Sequence, residues 1–320
     1  MVLALVGPTA SGKSAIALAV ARAAGARGPG VELVSVDSMA VYRGMDLGTA
    51  KPTPQERAEI PYHLIDRVDP DEEYTVTRFQ SEAREALAGI AGRGRAALLV
   101  GGTGLYLRSV TDDLSFPGRY PQVGVELTAG LEGLGPPGSP GRLDGCHQLH
   151  ARLSELDPVA ASRIDPGNER RLVRALEVTL GSGRPFSSFG PGLERYPPSR
   201  VRLLGLRRGP EDVDRRIGER FARLMDEGFL DEVRRLAARP RGLSRTARQA
   251  LGYRELLSHV EHGVPLDEAV AEAVRRTRAF ARRQRSWFRR DPRIEWLDAD
   301  DDPVTAVAAR LGSDATGSNG

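Results

Sequence analysis

The feature that most constrains this chain is an eight-residue run near its start, Gly7-Pro8-Thr9-Ala10-Ser11-Gly12-Lys13-Ser14, which matches the pattern G-x-x-x-x-G-K-[ST]. It follows a short apolar run, the first six residues from Met1 to Val6, that suits a buried strand. It precedes a segment in which Ala15, Ile16, Leu18, Ala19, Val20 and Ala23 recur at helical spacing. Strand, glycine-bearing loop and helix N-terminus together make a phosphate cradle. The glycines let backbone N–H groups converge on phosphate oxygens, and the helix dipole favours negative charge. Lys13 neutralises charge, and the Ser14 hydroxyl is placed to hold Mg2+. The chain has 36 glycines in 320 residues, and Lys13 and Lys51 are its only lysines. At that composition the pattern arises by chance on the order of 0.003 times, so a mere glycine-rich turn is disfavoured.

Further strands are expected at Val31 to Val36, closing on Asp37, and at Ala96 to Val100, closing on Gly101-Gly102-Thr103. Val76 to Ile90 has helical spacing between them, and such alternation predicts a doubly wound α/β fold. A phosphate-loop (P-loop NTPase-like) parallel core is therefore expected over 1–114, completed over 199–298 by a strand near Val201 to Leu206 and by basic C-terminal helices from Glu211 and from Leu266. Residues 115–198 read as a mainly helical insertion. Within it, Phe116 to Gly145 is rich in glycine and proline and is expected to be a long flexible excursion, with helices returning at Leu149 to Leu156 and Asn168 to Leu180. Residues 299–320 read as an acidic and then disordered tail, the last eight being small and polar.

Ligands of open parallel sheets bind beyond the carboxyl ends of the strands, so Asp37, Ser38 and Thr103 are expected to face the phosphate site. A nucleoside-triphosphate hydrolase would offer an aspartate at the end of a second strand, but Ala96 to Val100 runs into glycine instead. Three roles are open to Asp37: magnesium ligand, general base, or cap of a helix.

Composition sets outer bounds. Lysine plus arginine number 46 against 43 acids, a net of +3, which says little about partners. The distribution says more: eight arginines and no acid lie between Arg275 and Arg290, and four aspartates between Asp298 and Asp302. No uncharged apolar run reaches the roughly 18 residues of a membrane span, and no cleavable leader is visible, so a cytoplasmic protein without membrane partners is expected. The single cysteine, Cys146, cannot form an internal disulfide. With His147 and His150 it is too few ligands for a structural zinc, and a solvent-exposed loop is expected there.

The segments Ser35-Val36-Asp37-Ser38, Val41 through Pro52 and Leu99 through Tyr106 resemble, with the phosphate loop, the bacterial tRNA dimethylallyltransferases. So do Asp157 through Ala161, Arg171 through Glu177, Gln249 through Tyr253, and Thr277-Arg278 through Phe288. The resemblance runs in order over roughly residues 2–298. It implies transfer of a dimethylallyl group from its diphosphate to the exocyclic N6 of the adenine just 3′ of the anticodon, in tRNAs reading codons that begin with U. It implies Asp37 as general base, with Thr103 and Lys13 completing the catalytic set, and Mg2+ as cofactor. It implies a diphosphate site of residues 7–14 (Gly7, Pro8, Thr9, Ala10, Ser11, Gly12, Lys13, Ser14) with Arg216 and Arg220. It also implies tRNA contacts from Asp37, Ser38, Met39, Ala40, Thr103, Arg170, Arg171, Arg174, Gln249, Arg278 and Arg282. A monomer is expected.

One position departs from the family pattern: Pro121-Gln122-Val123-Gly124 has glycine where an RNA-contacting arginine is expected, and the first insertion helix is expected to be broken. One lost charge-assisted phosphate contact costs about 1–3 kcal/mol. Two other enzyme readings compete, a small-molecule kinase using the same loop for ATP and a prenyltransferase acting on free adenine nucleotides, with a nucleotide-gated RNA-binding module third. A kinase would need an arginine-bearing lid, for which 115–145, holding only Arg119 and Arg142, is a poor candidate.

Overall fold

The computed structural model describes residues 1–25, 30–190 and 192–312. In chain order the strands are β1 (Val2–Val6), β2 (Val31–Val36), β3 (Tyr62–His63), β4 (Ala96–Gly101), β5 (Arg202–Arg207) and β6 (Ile294–Asp298). The first helices are α1 (Lys13–Gly25), α2 (Pro54–Glu59), α3 (Val76–Gly92) and α4 (Gly104–Thr111). Then come α5 (Pro121–Glu132), α6 (Pro140–Leu156), α7 (Pro158–Ala161) and α8 (Glu169–Ser182). The rest are α9 (Pro210–Asp226), α10 (Phe229–Ala237), α11 (Tyr253–His262), α12 (Leu266–Arg289) and α13 (Pro303–Gly312). Met1–Asp113 with the chain from Pro197 onward makes one compact unit, and Leu114–Tyr196 a second.

In the first unit all six strands are parallel, in the order β3-β2-β4-β1-β5-β6. Side chains alternate across each strand, so the apolar strands feed two cores. Leu3, Leu5, Leu33, Leu98, Leu204 and Leu206 pack on one face with Ile16, Ala17 and Val20 of α1. Ala4, Val6, Val34, Val36, Ala97 and Leu99 pack on the other with Phe79, Ile217, Phe221, Phe229, Tyr253 and Phe288. Each buried leucine contributes about 1.5–3 kcal/mol, so burial on both faces rather than strand propensity holds the sheet.

Register positions the site. Val6 of β1 and Val36 of β2 are both paired with Gly101 of β4, so the three strands end level. The next residues, Gly7, Asp37 and Gly102, therefore leave the sheet side by side.

The tail expectation changes in part. Between the aspartate run and the final eight residues lies α13, whose Val304, Val307 and Leu311 pack on the α1 face, with Val307 fully buried. The flanking charge obscured this spacing. The final eight residues lie outside the described ones.

The second unit overturns the flexible excursion. α5 runs unbroken through Gly124, and α6 starts at Pro140, nine residues earlier than expected. Within the stretch from Phe116 to Gly145, only residues 116–120 ahead of α5 and the turn over 133–139 are non-helical. Proline at the first helical position costs nothing, because the N–H it lacks would have had no partner. Gly145 lets α6 approach its neighbour, since a Cβ there would lie 2.6 Å from Leu134 and 2.8 Å from Leu131. Cys146 is buried in that core beside Leu131 and Leu153, which corrects the exposed loop expected for it. His147 is exposed, and a ring nitrogen of His150 bonds the Ala161 carbonyl, so the three side chains do not converge.

Candidate active site

The phosphate loop is bent by two residues with left-handed backbone, Ala10 (φ 60°) and Gly12 (φ 99°). Glycine adopts that region freely, whereas alanine there costs of order 1–3 kcal/mol, which the surroundings must supply. Three arginines do so by binding the loop from outside. Arg208 Nε donates to the Ser11 carbonyl (3.2 Å) and Arg216 Nε to the Ala10 carbonyl (2.9 Å). Arg220 donates to Thr9 Oγ1 (3.4 Å) and to the Gly48 carbonyl (2.9 Å). With these carbonyls turned towards guanidinium groups, the loop keeps the concave form in which successive amides gather an anion. Arg216 and Arg220 thus both line the loop, one helical turn apart on α9. Arg208 was not anticipated; its position directly after β5, level with the loop, is the only signal that pointed to it.

Lys13 opens α1, and its buried ammonium donates to the Pro8 carbonyl (3.1 Å). Burial pushes its pKa down to about 8, while Asp37 pulls it back up and Arg220 pushes it further down. Asp37 therefore lies within charge reach of Lys13 and Arg220 both. The Ser14 hydroxyl is exposed at the first turn of α1.

Asp37 Oδ1 accepts from the Met39 N–H (2.8 Å), closing a tight turn. No helix starts there, since α2 begins only at Pro54, so the helix-cap reading of Asp37 falls. Thr103 caps β4's exit: its N–H donates to the Val36 carbonyl (3.3 Å), and its Oγ1 accepts from the Ser38 N–H (3.2 Å). Asp37, Ser38 and Thr103 are thus tied across the level strand ends. Ala40 is buried, and Met39, half-buried, packs against the core that holds Val41 and Tyr42.

The glycines that end β4 are required by packing. A Cβ on Gly101 would lie 2.0 Å from the Val36 carbonyl oxygen, and one on Gly104 would lie 2.0 Å from Trp287 Nε1 of α12. Gln284, one turn before Trp287, bonds both the phosphate loop and Gly102.

The segment after Asp37 is pinned from below. Lys51 Nζ, almost wholly buried, donates to the Tyr42 carbonyl (2.5 Å), Asp46 (2.7 Å) and Asp66 (2.6 Å). Glu232 of α10 accepts from the N–H groups of Asp46 (3.1 Å) and Leu47 (2.9 Å) and from the Tyr253 hydroxyl (2.5 Å). Neither role was visible in the sequence, where Glu232 is one acid among many. A groove lined by Pro8, Arg208, Arg285, Arg289 and Trp296 adjoins the loop on its β5 and β6 side.

The remaining basic residues divide. On α12, Arg278 donates to the Asp214 carbonyl (3.2 Å), and Arg282 is exposed, 3.8 Å from the Asp214 carboxylate. The aromatics of that block serve packing: Phe288 is buried and Trp287 covers Gly104. Gln249 is exposed in a single turn, Ala247–Gln249. In the second unit Arg170 and Arg171 are exposed on α8. Arg174 is instead committed to Glu177 (2.7 Å) and to the carbonyls of Pro117 and Gly118 (both 3.0 Å). Among the described residues no cluster of three histidine, cysteine, aspartate or glutamate side chains forms a metal site.

A profile of the IPP transferase family matches residues 40–291. The chain is 47% identical over 308 residues to the tRNA dimethylallyltransferase of Kineococcus radiotolerans, covering 94% of this chain and 92% of that one. The crystal structure of the tRNA isopentenylpyrophosphate transferase of Bacillus halodurans is similar with a TM-score of 0.67 at 33% identity, covering 97% of this chain and 95% of that one. A eukaryotic dimethylallyltransferase captured acting on tRNA gives a TM-score of 0.75 at 25% identity, over 98% of this chain and 79% of that one. Sheet order, phosphate loop and these likenesses agree, and the chain belongs to the IPP transferase family of prenyl-transferring enzymes.

Proposed function

We propose that this enzyme transfers a dimethylallyl group from dimethylallyl diphosphate to N6 of the adenosine immediately 3′ of the anticodon, in tRNAs reading codons that begin with U. The observation that carries the reading is the placement of Asp37. It is a carboxylate beside the phosphate loop, within charge reach of Lys13 and Arg220, at a sheet edge where β4 ends in glycine rather than acid. That arrangement suits a base next to a diphosphate better than a water-activating nucleotide hydrolase.

In the reaction the N6 lone pair attacks C1 of the prenyl group, and the C1–O bond breaks with its electron pair departing on the diphosphate. The attacking nitrogen becomes acidic, and its proton passes to the Asp37 carboxylate. Lys13 and the loop amides stabilise the charge growing on the leaving group more than that of the bound donor, which is what lowers a barrier. The exposed Ser14 hydroxyl suits Mg2+, which takes oxygen ligands and keeps several waters; with no carboxylate cluster among the described residues, the ion would be held by Ser14 and the donor's own oxygens, and would neutralise the diphosphate. Thr103, fixed by the Ser38 N–H, borders the target nucleotide, which must leave the base stack to present N6. Exposed Arg282, Arg170 and Arg171, with Arg278 and Gln249, contact the RNA, while Arg174 is left to hold its own unit together. Such a substrate places the reaction in the cytoplasm; among the described residues no helix is long and apolar enough to cross a membrane.

The test is transfer of radiolabel from dimethylallyl diphosphate to an unmodified anticodon stem-loop, run beside an ATP-consumption control. Label in the RNA without ATP use is expected. ATP consumption with unlabelled RNA would make a kinase of this protein, and Asp37 would no longer be the base for an adenine amine.

A further inference from the structure

Gln284 lies on α12, 275 residues from the phosphate loop in sequence, and its side chain is buried. Its Oε1 accepts from the Thr9 N–H at 2.8 Å, and its Nε2 donates to the Gly102 carbonyl at 2.9 Å. The partners fix which end is which, because a backbone N–H can only donate and a carbonyl can only accept. A carboxamide satisfies both ends at any pH, whereas a carboxyl of the same length could do so only when protonated. The fit is close: a Cβ on Gly102 would lie 2.3 Å from Gln284 Nε2.

The two ends belong to different halves of the prenyl transfer. Thr9 sits in the loop assigned to the donor's diphosphate. Gly102 precedes Thr103, whose hydroxyl holds Ser38 next to the base Asp37. One planar group thus spans the leaving-group side and the acceptor side of the site. We propose that Gln284 is a positioning residue for the transfer: its carboxamide sets the separation between the donor loop and the turn that carries Thr103. It touches neither substrate. The proposal rests on the prenyl-transfer reading, because only there must a carbon held by one edge of the site meet a nitrogen held by the other. Misplacement by about 1 Å costs such a reaction on the order of 100-fold.

Two variants of similar volume test it. Gln284→Glu keeps the acceptor for Thr9 but sets an oxygen against the Gly102 carbonyl, and Gln284→Met removes both bonds. The measurements are kcat and KM with dimethylallyl diphosphate and an anticodon stem-loop, binding of inorganic diphosphate, and amide hydrogen exchange in segments 8–12 and 101–104. Both variants are expected to lose about 10- to 100-fold in kcat, with KM for the donor and diphosphate binding within about threefold of the parent. Exchange is expected to quicken in both segments together. A kcat for Gln284→Met within about twofold of the parent overturns the proposal, as does a loss that tracks only the folded fraction. Should the parent itself transfer no label, the prenyl-transfer reading falls, and exchange alone decides on Gln284: unchanged exchange in either segment of Gln284→Met rejects the link between them.

Discussion

The two lysines of this chain stand about 40 residues apart in sequence, Lys51 with its side chain almost wholly buried and Lys13 half-buried, and their surroundings are opposite. Lys51 is saturated, its three donors going to a carbonyl and two carboxylates. Lys13 has one carbonyl for a hydrogen-bond partner, with Asp37 and Arg220 within charge reach, and burial drives its pKa down to about 8. A buried ammonium with spare donors is unfavourable for folding, because water has been removed and little has replaced it. The difference separates a charge that holds the protein together from one held ready for an anion. Oxygens of a diphosphate would complete Lys13's shell as the donor binds, and complete it further as charge grows on the leaving group.

Breaking each lysine should therefore have opposite consequences. Lys13→Ala is expected to lower kcat/KM by about 100- to 1000-fold while leaving the melting temperature unchanged or raised, as steady-state kinetics and thermal melts will show. Asp37→Ala should retain tRNA binding and lose at least about 100-fold in turnover; near-normal turnover in a single-turnover assay removes Asp37 from the mechanism. Lys51→Met should leave the kcat of folded enzyme within about twofold and cost about 2 kcal/mol in urea unfolding. That is less than the usual 3–5 kcal/mol for a broken buried pair, because Asp66 keeps Arg57 and Asp46 reaches water.

The mildest perturbation is pH. Diphosphate binds the charged form of Lys13, so KM for the donor should be level below about pH 8 and rise as pH climbs through it. The rise approaches tenfold per unit until binding itself lifts the pKa, and Lys13→Arg, charged throughout, should abolish it. A profile flat to pH 10 in the parent would mean that the loop holds its lysine protonated without a ligand.

The same contrast explains what could be read in advance. The phosphate loop, its strand and its helix are contiguous, so one pattern displayed site and support together. Asp37 and Thr103 were legible because each ends an apolar run, and level strand ends bring such residues to one edge. What stayed hidden depends on contacts between distant segments. Gln284 and Glu232 look like ordinary polar residues of amphipathic helices until their partners are known. β6 is an edge strand whose Glu295 and Asp298 mask it as polar chain, and α10 is short, its signature only Phe229, Val233 and Leu236. The insertion misled for a different reason: glycine and proline carry different meanings at different helix positions. Gly145 stands where a Cβ would collide, and Pro140 stands where helices begin.

The span between Thr9 and Gln284 also sets a clock. At roughly 5–20 residues per second, a ribosome needs about 15 to 55 seconds to add the 275 residues that separate them. Until then the loop lacks its carboxamide clip, and for most of that interval it also lacks Arg208, Arg216 and Arg220. A growing chain thus carries the phosphate-binding sequence long before it carries a working cradle, and the nascent protein has no competent site with which to consume a reactive allylic diphosphate.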